Sequence, residues 1–476
     1  MQNVILFGAG FYGKGAYDRL KNKFNIMFYI DNNHALWGEK VNGLDVKSIE
    51  CLNDFEAEEA KIVICTKSYP QIAMQLSIMG IDEYYIFLEG FLYHTDKYES
   101  MMPIEIESCS YYKNIDDKKS ILYVQNAACI RTHKIALAVK NMGYKVYLAY
   151  STNSPLQSNS EYANIYDGIF PIISMESLID FVNKSDFKYV HSSNEPDFLT
   201  VLLTRTNKTI IHDCHDLSSA YKSMTPEEME LERLANVESD GVIYTTEGIR
   251  QEALRKFNIE KEKTFVLENL ITEELEPTEI KEKKSKMDGK LHCVYEGGVI
   301  GNDSESHRYF EKIWYKIADS GIVVHFYTNY DLEYCRYLES LHPNIHYEGN
   351  RTSKELANEL TQYDVGLCIL NVTPKNRQYL EFASPNKIQE YVNAGIPVAV
   401  GDIESQREFV ETNLFGSAVD MKGDLKTQIT EISKINISKG VLREKGFTLE
   451  SRIPQLLQFY NECSQRKKDD EKSFDF

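Results

Sequence analysis

Between Glu381 and Asp402 the sequence reads EFASPNKIQEYVNAGIPVAVGD, a helix-forming run delivered straight into a short apolar one. Ser384 suits an N-cap and Pro385 the first helical position, where a missing N–H costs nothing, so the amide groups that follow point outward without partners. That arrangement is an anion site. Lys387 adds positive charge to it, Glu390 sits one turn further along, and Ala394-Gly395 ends the helix before the strand Pro397-Val-Ala-Val400. A helix that feeds a buried strand is the joint of an α/β domain, and this joint can hold a phosphate and a sugar ring.

The rest of the chain supplies more such joints. At 476 residues it is long enough for about three domains. Hydrophobic content of 42% and charged content of 26% fit a globular protein. A net charge of −19 argues against a nucleic-acid partner. With no run of 18 apolar residues and a strand-like Val4-Ile-Leu-Phe7 close to Met1, neither a membrane span nor a signal peptide is expected, which points to the cytoplasm. Nine cysteines occur without a Cys-x-x-Cys pair and read as reduced core residues.

Residues 1–95 open with a strand running into Gly8-x-Gly10-x-x-Gly13 and a helix, and a second strand, Ile26 to Ile30, ends at Asp31, roughly twenty residues on. This is the dinucleotide fingerprint, with an acidic residue placed for a ribose hydroxyl. The unit is Rossmann-like and reads as binding a nucleotide, a nucleotide sugar or nothing. A Tyr-x-x-x-Lys at the domain's end, Tyr93 to Lys97, is a chance spacing. Residues 96–118 are a polar connector.

A second α/β unit spans 119–275, with strands at Ile121–Val124, Lys145–Ala149, Tyr189–His191, Thr209–His212 and Val266–Asn269. Strand ends in such sheets face the ligand crevice, so His191, His212, Asp213, His215 and Asp216 are expected on one rim. Zinc is not expected from His212-Asp-Cys-His215, because neighbours on an extended segment point to different faces. The Lys- and Glu-rich stretch 276–290 reads as a solvated linker. A third unit, 291–450, opens with a strand into Glu296-Gly297-Gly298, glycines that let a backbone approach a pyrophosphate, followed by Arg308. A helix at 451–465 and a charged tail at 466–476 complete the chain.

The Ser384-Pro385-Asn386-Lys387 form with Glu390 resembles the donor-binding segment of GT-B glycosyltransferases of the retaining, family-4 type. The resemblance spans roughly 119–465. It implies a two-lobed fold, with 119–275 as acceptor lobe, 291–450 as donor lobe and 451–465 crossing back to the first. Gly297, Gly298, Arg308, Ser384, Pro385, Asn386, Lys387 and Glu390 then bind the donor, while His215 and Asp216, similar to an Asp-x-His-Asp segment of such enzymes, sit beside the reacting sugar. The implied reaction moves a sugar from a nucleoside diphosphate donor to a surface glycan or a lipid-linked acceptor, with no cofactor. Peripheral association with the inner face of the membrane is a further implication. No Asp-x-Asp occurs, in keeping with a metal-independent site. The first unit, through Phe7-Gly-Ala-Gly10 and Ile30-Asp-Asn-Asn33, resembles the small N-terminal domains of bacterial surface-sugar enzymes.

Two departures keep other readings open. Position 382 is Phe where many relatives carry Glu, Glu381 being one residue out of register, and the loop Gln125-Asn-Ala-Ala-Cys129 lacks the usual glycines. A catalytically degenerate binding or scaffold protein of a glycan assembly complex is the second reading. A nucleotide-sugar dehydrogenase or epimerase acting through the Gly8 fingerprint is the third.

Overall fold

The computed structural model describes residues 1–53, 56, 59–88, 91–96, 100–103, 114–126, 129–151, 164–172, 175–194 and 196–474. Ala127, Ala128, Lys97 and most of the expected connector 96–118 lie outside them. The chain is mixed α/β with three parallel-rich sheets. By its internal contacts it divides into two compact units, one of residues 1–212 and 238–240, the other of 213–237 and 241–476.

The first unit begins with β1 (Asn3–Phe7), β2 (Asn25–Ile30), β3 (Lys40–Val41), β4 (Leu44–Lys47), β5 (Lys61–Ile64), β6 (Glu83–Leu88), β7 (Phe91–Asp96) and β8 (Ser100–Pro103), in the spatial order β3-β4-β2-β1-β5-β6-β7-β8. Strand order reverses between β1 and β5, and Gly8 lies at that switch point. A Cβ on Gly13 would stand 1.8 Å from the Gly8 carbonyl oxygen, so the helix Phe11–Leu20 approaches the turn as closely as it does only through glycine. The same unit continues with β9 (Ser120–Gln125), β10 (Lys145–Ser151), β11 (Gly168–Ile172), β12 (Tyr189–Ser193) and most of β13 (Thr209–Cys214), ordered β11-β10-β9-β12-β13.

In the second unit β14 (Gly241–Tyr244) pairs in parallel with β15 (Thr264–Val266), which starts two residues before the stretch Val266–Asn269 expected to be the strand and ends at its first residue. The C-terminal helix packs on this pair. Phe459 stacks on Phe265 with centroids 5.4 Å apart, and a Cβ on Gly241 would lie 2.4 Å from the Cys463 sulfur. Leu456, Tyr460 and Cys463 make the buried stripe at helical spacing. The helix is a single element, Leu449–Phe474, and so runs on through the stretch expected to be a separate charged tail.

The remaining sheet is β16 (His292–Glu296), β17 (Val323–Tyr327), β18 (Ile345–Tyr347), β19 (Val365–Cys368), β20 (Val398–Val400) and β21 (Gly416–Ala418), ordered β18-β17-β16-β19-β20-β21 and parallel throughout. One face buries an aromatic group in which Phe310 lies flat on Trp314 at 4.8 Å beside Tyr295. The other face buries Ile388, Tyr391 and Val392 of the helix Asn386–Asn393. Strand order reverses between β16 and β19, so the crevice sits outside their carboxyl ends, at Glu296-Gly297-Gly298 and Ile369-Leu370-Asn371.

The run 276–290 is not a solvated linker. Its Thr278 and Lys281 amides donate to the side chains of Asn358 and Thr361, the Lys284 amide donates to the Gln362 carbonyl, and Lys281 pairs with Glu359 at 2.6 Å. The Lys283 ammonium donates to the Tyr363 carbonyl, and burial lowers its pKa against the pull of Asp364. Asp364 also clamps the sheet: its own amide donates to the His292 carbonyl at 2.8 Å, while its carboxylate accepts from the His292 amide at 2.8 Å and from the Ser285 hydroxyl at 2.6 Å. Replacing Asp364 by Ala removes the two carboxylate bonds, each worth up to about 1.5–3 kcal/mol with a charged acceptor. Chemical denaturation of Asp364→Ala is expected to show a loss of up to about 3–6 kcal/mol, the two bonds together, and an unchanged midpoint would refute the clamp.

Candidate functional site

At the end of β16 the backbone turns through Gly297, at φ +120°, a conformation that glycine adopts at little cost. The Gly297 amide donates to the Tyr327 carbonyl and the Gly298 carbonyl accepts from the Tyr295 hydroxyl at 2.8 Å, so the turn is tied down on both sides. Lys387 reaches it from the helix. Its ammonium lies 5.3 Å from the Tyr295 ring centroid, and a Cβ built on Gly297 would sit 3.9 Å from the same nitrogen. Arg308 comes from the other side, its guanidinium only 2.7 Å from where a Gly298 Cβ would be. Gly297, Gly298, Arg308 and Lys387 are therefore gathered at one turn, at the switch point of the sheet.

The helix that presents Lys387 begins one residue later than expected. Pro385 is its N-cap, at φ −71° and ψ 125°, and neither Pro385 nor Ser384 places a side chain on the first-turn amides. Proline's fixed φ already suits the residue before a helix, so Ser384 falls outside it. Ser384 instead offers its carbonyl to the Asn269 carboxamide at 2.9 Å, and the Thr246 hydroxyl donates to the Phe382 carbonyl at 3.1 Å. These two bonds fix the approach to the helix, whose first amides have no partner within it. Asn386 opens the helix and Glu390 lies one turn on, both partly buried. Further along, Tyr391 accepts from the Glu296 amide at 3.0 Å and donates to the Leu367 carbonyl, its ring lying so close to Gly366 that an added Cβ there would be 2.2 Å away.

Charge at the turn is positive. Burial tends to lower the Lys387 pKa, but the Tyr295 hydroxyl, the Cys368 thiol and the Glu296 carboxylate together outweigh it, and the pKa rises. Tyr295 itself is pushed up to about 12, by burial first and against the pull of Lys387. His307, which accepts from the Arg308 Nε at 3.2 Å, is held down to about 4 by burial and by the Arg308 and Lys387 cations. The loop carrying His307 and Arg308 is pinned from below: the Asn371 amide donates to the His307 carbonyl, its carboxamide to the Ser304 and Ser306 carbonyls, and the Asn376 carboxamide to the Glu305 carbonyl.

His215 and Asp216 belong to the same compact unit. The His215 Nε2 lies 2.9 Å from the wholly buried Asp213 carboxylate, which holds the ring by its Nε2 proton, and the His215 carbonyl accepts from the Thr245 hydroxyl. Tyr379 joins this segment to the turn. Its ring meets Tyr221 at 4.6 Å and His307 at 5.7 Å. Burial and then Asp216 raise its pKa, and Arg308 and Lys387 lower it, so three of the expected site residues act on one phenol. His191 and His212, expected on the rim with them, are fully buried core residues: His191 packs on Tyr123, and His212 meets the Thr200 hydroxyl at 3.0 Å.

In the first unit Gly8 lies at φ +114°, Gly10 caps the helix, and Asp31 accepts from the Ala9 amide at 2.7 Å and the Asn33 amide at 2.8 Å. The carboxylate placed for a ribose hydroxyl thus ties the glycine turn to the end of β2. Sequence reasoning missed Tyr295, His307, Asn371 and Tyr379. Of these only His307, adjoining Arg308, and Tyr295, just before the Glu-Gly-Gly turn, carried a local signal.

Comparison with known proteins gives three results. Residues 312–448 match the family model described as glucosyltransferase 3-like, C-terminal domain, and residues 1–87 match that described as C2185-like, N-terminal. No curated protein matches the chain. Among solved structures, sucrose-phosphate synthase from Thermosynechococcus elongatus is 14% identical, covering 73% of this chain and 100% of its own, with a TM-score of 0.53. A glycosyltransferase from Rickettsia africae is 13% identical, covering 74% of this chain and 99% of its own, with a TM-score of 0.52. At these identities the likeness is one of fold, and the chain has the fold of the two-lobed GT-B glycosyltransferases.

Proposed function

We propose that the protein is a glycosyltransferase that takes a sugar from a nucleoside diphosphate sugar and moves it to a glycan or lipid-linked acceptor, with retention and without a metal ion. The observation that carries the reading is the meeting of the Gly297-Gly298 turn, Arg308 and Lys387 beside the start of a helix. Close backbone, two cations and aligned amide dipoles are what a diphosphate needs from a protein. The GT-B fold and the glucosyltransferase 3-like match over 312–448 support the same reading.

In the proposed reaction the bond from the anomeric carbon to the diphosphate oxygen breaks, its electron pair leaving with the diphosphate. Lys387 and Arg308 meet the charge that grows on that oxygen, so they act most strongly in the transition state. The acceptor oxygen bonds to the anomeric carbon on the face just vacated and passes its proton to the departing diphosphate. Glu390 holds the ribose hydroxyls. His215, oriented by Asp213, and Asp216 flank the sugar as positive charge develops on it.

Lys387→Ala is expected to lower kcat by about 10²- to 10³-fold, the usual cost of losing one preorganised electrostatic contact, with little change in melting temperature. A wild-type rate in a donor-transfer assay would remove Lys387 from the site. His307 gives a pH test. Its pKa in the folded protein, about 4, lies below the ordinary imidazole value of about 6.5, so its contribution to stability is present above 6.5 and is lost as pH falls toward 4. Burial holds the pKa down first and the two cations second; a bound diphosphate offsets the cations, so binding favours proton uptake in this window. Titrating UDP and GDP calorimetrically into wild type and His307→Gln should show extra proton uptake near pH 5.5 in wild type alone. Equal uptake in both proteins would place the diphosphate elsewhere.

A further inference from the structure

The tyrosines packed on the sheet of β16 to β21 differ in how they use their hydroxyls. Tyr295 donates to the Gly298 carbonyl, Tyr391 to the Leu367 carbonyl and Tyr347 to the Thr328 carbonyl, while Tyr327 and Tyr363 meet each other at 2.8 Å. Tyr379 does none of this. Its hydroxyl has no hydrogen-bond partner among the described residues, and it is not one of the unmatched polar atoms that the fold seals from solvent, so it opens outward. A tyrosine that packs its ring and leaves its hydroxyl over has a donor and an acceptor to offer a ligand.

The backbone fixes where that hydroxyl can be. Tyr379 lies on the short helix Arg377–Phe382. The Asn376 carboxamide ties the start of this helix to the Glu305 carbonyl in the Arg308 loop, and at its end the Ala383 amide donates to the Tyr379 carbonyl at 3.0 Å, where the strap to Lys387 begins. The Tyr379 ring meets Tyr221 and His307, and His307 accepts from the Arg308 Nε at 3.2 Å, so Arg308 is one ring away. Burial and then Asp216 push the Tyr379 pKa up against Arg308 and Lys387, so the hydroxyl keeps its proton. A neutral donor within reach of two cations is within reach of the anion that those cations hold. Asp216, assigned above to the sugar, acts on the same phenol, which points to the sugar-bearing end of that anion. We propose that the Tyr379 hydroxyl donates to the second phosphate of a bound nucleoside diphosphate, as a third contact beside Arg308 and Lys387. The assignment rests on the donor reading above. As the bond from the anomeric carbon to that phosphate breaks, the phenol stabilises the charge left on the phosphate and keeps its own proton; the acceptor's proton still goes to the diphosphate.

The test is calorimetric titration of the full chain and of Tyr379→Phe with uridine, UMP and UDP, and with guanosine, GMP and GDP. Phenylalanine keeps the ring contacts and removes a hydroxyl that no described residue uses, so the melting temperature should stay at the wild-type value. The variant should bind UDP or GDP, whichever wild type takes, about tenfold more weakly, the cost of losing a hydrogen bond to a charged group, and should bind the nucleoside and the monophosphate as wild type does. Placing 3-fluorotyrosine at position 379, which returns a hydroxyl, should restore the affinity. A variant that keeps wild-type affinity for the diphosphate, or that loses as much on the nucleoside as on the diphosphate, would overturn the proposal and leave the donor reading in place. No gain in wild-type affinity from the second phosphate would sink both.

Discussion

An aspartate at the entry of a parallel strand holds the register on which the rest of the architecture depends. Asp167, Asp240 and Asp364 each stand directly before a strand. Each donates its amide to the carbonyl of a residue in the neighbouring strand, Val146, Ile210 and His292 respectively, and accepts that same residue's amide on its carboxylate. Parallel strands have no hairpin turn to fix their offset, so a two-point lock where they start sets where they end. In the third sheet that end is the candidate site: the offset of β19 against β16 brings Leu367 to the Tyr391 hydroxyl and Asn371 to the loop of His307 and Arg308.

From there the cradle is built by side chains whose task is to fix backbone. Tyr391 spans from the Glu296 amide to the Leu367 carbonyl, which is feasible because Gly366 leaves room for its ring. Tyr295 holds Gly298, Asn371 holds the Arg308 loop, and Asn269 and Thr246 hold the strap ahead of Lys387. None of these need touch a ligand. They hold two cations and a glycine turn together, and such preorganisation spares reorganisation when charge develops. Burial first, and then the same two cations, hold the His307 pKa down.

What was legible in the sequence was what is local. Pro385, Lys387 and Glu390 sit on one helix whose start and stop residues are contiguous, and Glu296-Gly297-Gly298 marks its own turn. The Gly8, Gly10 and Gly13 spacing likewise foretold a strand, turn and helix. Contacts set by sheet order were not legible: nothing near Tyr379 says that it bridges Asp216 and the two cations, and nothing near Asn371 says that it carries another loop. His191 and His212 were misplaced because a strand two residues longer than its apolar core takes a polar residue inside. The run 276–290 was misread because its charges and hydroxyls, solvated in most contexts, here meet complementary groups on 358–364. The helix start was off by one because a proline cap and a proline first residue look alike in sequence.

The central claim is that the Gly297-Gly298 turn with Arg308 and Lys387 is a diphosphate site, and the most direct measurement is calorimetric affinity along a series of nucleoside, nucleoside monophosphate and nucleoside diphosphate, run for uridine and guanosine. A cradle for two phosphates predicts that for one base each added phosphate tightens binding, the second by about tenfold or more, in line with a charge-assisted contact of about 1.5–3 kcal/mol. Equal affinity for the monophosphate and diphosphate of both bases, or no binding by any member, would contradict it.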